Sequence, residues 1–191
     1  MAQHVFELVG GHPALDFVNT VSAWSGPVAE RREYLGTPED AGRLGRLVGL
    51  LGSGDGVSAA ELDELRRLRS ALEPIFRALA LGKPLPAAEL DELNRAAALA
   101  AGAARLRPDG GRVVRAIDRR GAGRALLRYR LIDAAVGLLT SEAASRVRSC
   151  PGCGWLFVDL SKNRSRRWCS MSTCGSSAKS KAYYRRRRRR G

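Results

Sequence analysis

Cysteine is missing from the first 149 residues, acid is almost missing from the last 46, and no apolar run approaches the roughly 18 residues that a membrane span needs. The first gap excludes a disulfide framework for most of the chain. The third excludes a membrane-spanning helix, and Met1-Ala2-Gln3-His4 lacks the charged segment followed by an apolar one that marks a secretory leader, so a cytoplasmic location with no membrane partner is expected. Histidine is scarce, confined to His4 and His12. Gly-x-Ser-x-Gly, His-Glu-x-x-His and a phosphate-cradling glycine loop are all absent, so no catalytic residues are assigned and the protein is expected not to be an enzyme.

What is present is unevenly spread. The 191 residues are 45% apolar, enough for one moderate domain plus a small appendage. Lys and Arg number 33 against 19 acids, a net charge of +14. From Arg146 to Gly191 there are fourteen basic residues against Asp159 alone, whereas the preceding 145 residues hold nineteen against eighteen. Such asymmetry points the C-terminal part at a polyanion, either nucleic acid or an acidic membrane surface.

All four cysteines fall in the same basic stretch: Cys150-Pro-Gly-Cys153, fifteen residues, Cys169, four residues, Cys174. A tight Cys-x-x-Cys turn and a second cysteine pair can close a tetrahedral thiolate shell, so one Zn2+ per chain is expected on Cys150, Cys153, Cys169 and Cys174. Two disulfides, or a redox-active Cys-x-x-Cys pair, are the weaker alternatives in a reducing compartment. Four thiolates around a divalent cation leave a charge of about −2, which nearby arginines can offset. Trp155–Asp159 reads as a strand, with Trp155, Phe157 and Trp168 as a miniature core.

The preceding ~140 residues read as mainly helical. Thr37-Pro38-Glu39-Asp40 opens a helix with an apolar stripe of Ala41, Leu44, Leu47, Val48 and Leu51, ending at Gly52. Ser58-Ala59-Ala60-Glu61 forms a capping box ahead of Leu62, Leu65, Leu68, Leu72, Ile75, Phe76 and Leu79. The heptapeptide Ala59–Leu65 recurs at Ala87–Leu93, a repeated helix start with no longer period behind it. Arg105 to Arg115, turning at Pro108-Asp109-Gly110-Gly111, reads as a hairpin, and a further helix is expected over 123–140. The fold class is therefore mainly α: a helical domain with a small β-hairpin over 1–140, a linker over 141–149, and a small four-cysteine zinc-finger module with short strands and a final helix over 150–191.

Gly10-Gly11-His12-Pro13 begins another helix, on which His12, Asp16 and Asn19 share one face. These three are a candidate ligand site for an unidentified small-molecule effector, or a set of side chains that bond nearby backbone.

From Cys150 to Gly175 the chain closely resembles the CGNR zinc-finger family, and Gly10–Thr20 with the helices behind it resembles the associated ABATE domain of putative stress-induced transcription regulators. The resemblance implies a bacterial regulator with a helical N-terminal domain that senses a ligand or mediates assembly, an oligomer being one form of this. It also implies a zinc module whose ligands fall on the four cysteines. Duplex DNA is then the expected partner, met by Lys162, Arg164, Arg166, Arg167, Lys179, Lys181, Arg185, Arg186, Arg187, Arg188, Arg189 and Arg190. An RNA- or ribosome-associated protein and a zinc-thiolate redox sensor are the alternatives. In this chain Ser176 and Ser177 stand where the family has the Asn and Arg after Cys-Gly, which removes one family arginine from any phosphate contact.

Overall fold

Thr37 and Ser58, the two hydroxyl residues expected to start helices, both do so in the computed structural model, which describes residues 7–22 and 32–188. Thr37 caps α2 (Pro38–Leu47) in a closed box: its Oγ1 accepts from the Asp40 N–H at 3.2 Å, and the Asp40 carboxylate accepts from the Thr37 N–H at 3.0 Å. Such a cap is worth about 1 kcal/mol. The helix stops earlier than the stripe suggests. The N–H groups of Leu50 and Leu51 turn back to the Gly45 carbonyl, so Leu51 folds under and is buried while Leu47 stays exposed.

At the start of α3 (Ala59–Ala80) the Ser58 hydroxyl accepts from the Glu61 N–H at 3.2 Å, but Glu61 does not return the bond. Its carboxylate is buried, and a buried carboxylate needs a cation. Arg128 of α6 (Leu126–Leu139) supplies one, with Nε donating at 2.9 Å and Nη2 at 3.3 Å. The second copy of the heptapeptide starts α4 (Ala87–Gly102) after Pro86 with no side-chain cap, and there Glu89 is only half-buried. One sequence thus serves two environments, because α3 runs through the core while α4 buries only Leu93 and Ala100.

The hairpin forms as expected from β1 (Ala104–Asp109) and β2 (Arg112–Ile117), joined in register from Ala104 opposite Ile117 to Asp109 opposite Arg112. Its two-residue turn holds Gly110 at φ 52° and Gly111 at φ 79°, left-handed conformations that glycine adopts without steric cost. The helix expected over 123–140 opens with a 3-10 turn (Gly123–Ala125) before α6, and a short α5 (Arg119–Ala122), capped by Asp118, precedes both.

The largest departure concerns 141–149, expected as a linker. A 3-10 turn (Glu142–Arg146) leads into β3 (Val147–Ser149), which pairs antiparallel with β4 (Leu156–Val158). The reason lies in the alternation of strand side chains. Val147, Leu156 and Val158 enter the helical core beside Leu15 and Val18 of α1 (Pro13–Val18), Phe76 of α3 and Leu131 of α6. Phe157, on the opposite face of β4, joins Cys150 and Cys169 in a second, smaller core flanked by Val9, Trp155 and Trp168. The zinc-finger module is therefore built onto the helical body through a shared strand. Past it, a π-helical turn (Met171–Gly175) runs directly into α7 (Ser176–Arg188). No helix among the described residues is long and apolar enough to cross a membrane.

Candidate metal centre and basic surface

The loop between β3 and β4 brings Cys150 and Cys153 into a tight knuckle. The Cys150 N–H donates to the Trp155 carbonyl at 2.8 Å, and the Gly154 N–H donates to the Cys150 carbonyl at 2.8 Å. A second turn, closed by the Gly175 N–H donating to the Ser170 carbonyl at 3.0 Å, presents Cys174 close to Cys169. At Gly152 a β-carbon would sit 3.3 Å from both Cβ and Sγ of Cys174, so the small residue lets the two turns close on each other.

All four Sγ atoms lie within 4.8 Å of one another, with Cys153 to Cys169 at 3.5 Å and Cys169 to Cys174 at 3.7 Å. A tetrahedral shell with Zn–S bonds of about 2.3 Å places sulfurs about 3.8 Å apart, so the set fits a single zinc ion. None of the four is joined in a disulfide.

The four sulfurs are also coupled electrostatically. The Cys153 thiol is drawn down to about 6, chiefly because Cys169 hydrogen-bonds to its sulfur. The same bond pushes Cys169 up, and burial pushes Cys174 up to about 12. Crowded thiols resist successive ionisation, and a divalent ion held by all four would offset their charge and release the protons of Cys169 and Cys174.

The basic residues expected to meet nucleic acid divide, where they are described, into two kinds. Arg166, expected among the nucleic-acid contacts, turns inward. Its Nη2 donates to the carbonyls of Val9, at 3.1 Å, and Cys169; Nε donates to Trp168 O at 3.1 Å; and the guanidinium lies 4.5 Å from the centre of the Phe157 ring. It pins the third ligand to β4 and to the N-terminal segment. Lys162, Arg164, Arg167, Lys179, Lys181, Arg185, Arg187 and Arg188 are exposed and form no ion pair among the described residues. Arg186 lies within α7, and Arg189 and Arg190 lie outside the described residues. Ser176 lies inside the last helix: Oγ donates to the carbonyls of Ser172 at 2.7 Å and Thr173 at 2.9 Å, because the π-turn has started the helix earlier.

Arg148 escaped the sequence reading. It sits in the stretch expected as linker, and only the pairing of β3 with β4 sets it opposite Phe157, beside the loop over 159–167.

His12, Asp16 and Asn19 serve the backbone. His12 Nδ1 accepts from the Ala14 N–H at 3.3 Å as the cap of α1, and Asp16 Oδ1 accepts from the Gly10 N–H at 2.8 Å. Asn19 is fully buried and bonds both polar groups of Leu156. Burial raises Asp16 to about 6 and lowers His12. A cavity of about 110 Å3 lies elsewhere, between α3 and α4, floored by Leu68, Leu93 and Ile132 and edged by Glu64 and Arg128.

Two families match the chain. Residues 11–142 match the ABATE family, described as "Putative stress-induced transcription regulator", and residues 146–187 match the CGNR zinc finger. No curated protein matches the chain. With the CGNR match and the sulfur geometry together, the four-cysteine set is a zinc site able to hold one ion.

Proposed function

Since the chain belongs to the ABATE family, described as "Putative stress-induced transcription regulator", and ends in a CGNR zinc finger, we propose that it binds duplex DNA and acts as a regulator by binding, without catalysis. The observation that carries the reading is the segregation of charge. Fourteen basic residues against one acid occupy the last 46 residues, and the zinc turn leads straight into α7, which carries Lys179, Lys181, Arg185, Arg187 and Arg188 along one rod. Zinc stiffens the base of that rod. The arginines near its C-terminus also lie at the end where the helix dipole favours positive charge.

The helical domain then receives a signal or assembles copies. The α3–α4 cavity, apolar below and charged at its edge, offers a seat for a small effector. Because β4 is shared, a change among the helices is felt by the finger without passing through a flexible tether.

Titration of labelled duplex DNA with the zinc-loaded chain, followed by fluorescence anisotropy at rising salt, tests the reading. About eight phosphate contacts give a log–log salt slope near −7. Binding absent at low salt, or unchanged after deletion of 185–190, sinks it. Structured RNA as competitor separates the RNA-binding alternative, which predicts that RNA displaces the duplex.

A further inference from the structure

Among the described residues Arg164 alone, apart from glycines, has its backbone in the left-handed region, at φ 51°. Glycine holds such a conformation freely, and a branched or long side chain does so only against steric resistance. The surrounding loop enforces it. Asp159 Oδ1 accepts from the Ser161 N–H at 2.9 Å and the Ser161 hydroxyl at 2.5 Å, and its Oδ2 accepts from the Arg166 N–H at 3.1 Å. Ser161 Oγ in turn accepts from the Ser165 N–H at 2.9 Å, and the Arg164 N–H donates to the Ser161 carbonyl at 3.2 Å. All of this order displays a guanidinium that makes no hydrogen bond or ion pair among the described residues.

That guanidinium borders an open notch of about 540 Å3, lined by Arg148, Arg164, Arg166 and Arg167 with Ser149, Pro151 and Ser165. No acid lines it. Asp159, the single acid between 146 and 191, is fully buried and spends its oxygens on the loop's own donors. Arg166 is committed to carbonyls behind the notch, and Arg148 donates from Nη1 to the carbonyls of Ser145 at 3.0 Å and Val147 at 2.9 Å, which steadies it while its other nitrogens remain open. The guanidinium groups of Arg148, Arg164 and Arg167 around one notch, with Ser165 beside them, offer planar donors suited to the oxygens of a phosphate.

We propose that this notch seats one backbone phosphate of duplex DNA and sets the register of the finger on the duplex, with α7 as a second, sliding arm. The proposal rests on the DNA-binding reading but names a contact that tail charge does not require. Phosphate contacts of this kind position a protein and leave base recognition to other groups.

The test uses the full zinc-loaded chain and two variants, Arg164→Gly and Arg148→Ala, each checked for one zinc per chain. Glycine suits the left-handed position, so Arg164→Gly is expected to keep or raise the melting temperature while weakening binding to duplex DNA about tenfold and making the salt slope shallower by about 1. Arg148→Ala is expected to do the same to binding. As a probe independent of DNA, inorganic phosphate titrated against chloride at constant ionic strength should shift the Nε–H resonances of Arg148 and Arg164 saturably, and either substitution should abolish the response of the other. Failure of the wild-type chain to bind duplex at low salt overturns the DNA-binding reading, and the notch proposal with it. Tight wild-type binding left unchanged by both variants, or no saturable phosphate response, overturns the notch alone.

Discussion

Asn19 at the end of α1 clasps Leu156 of β4 with both ends of its amide: Nδ2 donates to the Leu156 carbonyl at 2.8 Å, and Oδ1 accepts from the Leu156 N–H at 2.9 Å. The two residues are 137 positions apart. The amide acts as a neighbouring strand would, completing the edge of β4 that β3 does not reach. It thereby ties the first helix of the ABATE region to the zinc finger.

Asn19→Ala strands a buried N–H and a buried carbonyl, each costing about 1–3 kcal/mol. A loss of about 3 kcal/mol in urea unfolding is expected, with hydrogen exchange rising in both α1 and β4. Faster exchange confined to α1 would show that the clasp does not join the two parts.

Cys169→Ser removes the buried ligand through which the sulfur contacts to Cys153 and Cys174 run. Metal analysis is expected to fall from one zinc per chain to well below it, since zinc binding and folding of such modules are coupled. Because Leu156 and Val158 belong to the helical core, the melting temperature of the whole chain should fall too, and a strong chelator should have the same effect on the wild type. A helical body that melts unchanged without zinc would contradict the shared-strand arrangement.

Arg166→Ala is expected to destabilise the fold by roughly 2–4 kcal/mol and to weaken zinc retention, because three carbonyls lose a charged donor and the Phe157 ring loses its cover. Lys162→Ala, on the exposed loop, should shift stability by no more than about 0.5 kcal/mol. Equal melting of the two variants, with equal loss of DNA binding, would place Arg166 on the nucleic-acid surface instead.

Asp16 gives the fold a pH dependence of unusual sign for an acid. Its carboxyl is raised to about 6 by burial, so the folded state holds the proton more tightly than the unfolded chain, where the group has its ordinary value of 3.8. The stabilisation is fully present below about 3.8 and is lost as pH rises through about 6, by up to about 3 kcal/mol. Urea midpoints measured across pH 4–7 should show this decline, and Asp16→Asn should flatten it. A midpoint that rises over the same interval in the wild type, and in parallel in Asp16→Asn, would assign the dependence to other groups.

Local chemistry made much of the molecule legible in advance. Thr37, Ser58 and Pro13 announce helix starts through their capping oxygens and fixed φ, and Gly110-Gly111 announces a hairpin through its freedom at positive φ. The cysteine spacing specifies a metal site because two short turns are all that four sulfurs need. Less legible was whatever depends on a distant partner. Glu61 looked like half of a capping box, but burial sent its carboxylate to Arg128, 67 residues away. Arg166 looked like a surface cation, and only the placement of Val9 and Phe157 shows that its donors are occupied.

By itself, then, the sequence determined a mainly helical body, a hairpin, a zinc set of four cysteines and a C-terminal concentration of positive charge, because capping, periodicity, ligand spacing and net charge are properties of neighbours along the chain. Tertiary structure decided the rest. It turned the expected linker into β3, divided the faces of β4 between two cores, spent His12, Asp16 and Asn19 on backbone groups, and sorted the arginines into buried staples and free forks. Burial is what separates those outcomes, since a polar group shielded from water must find its partner inside the fold, and that partner can come from any part of the chain.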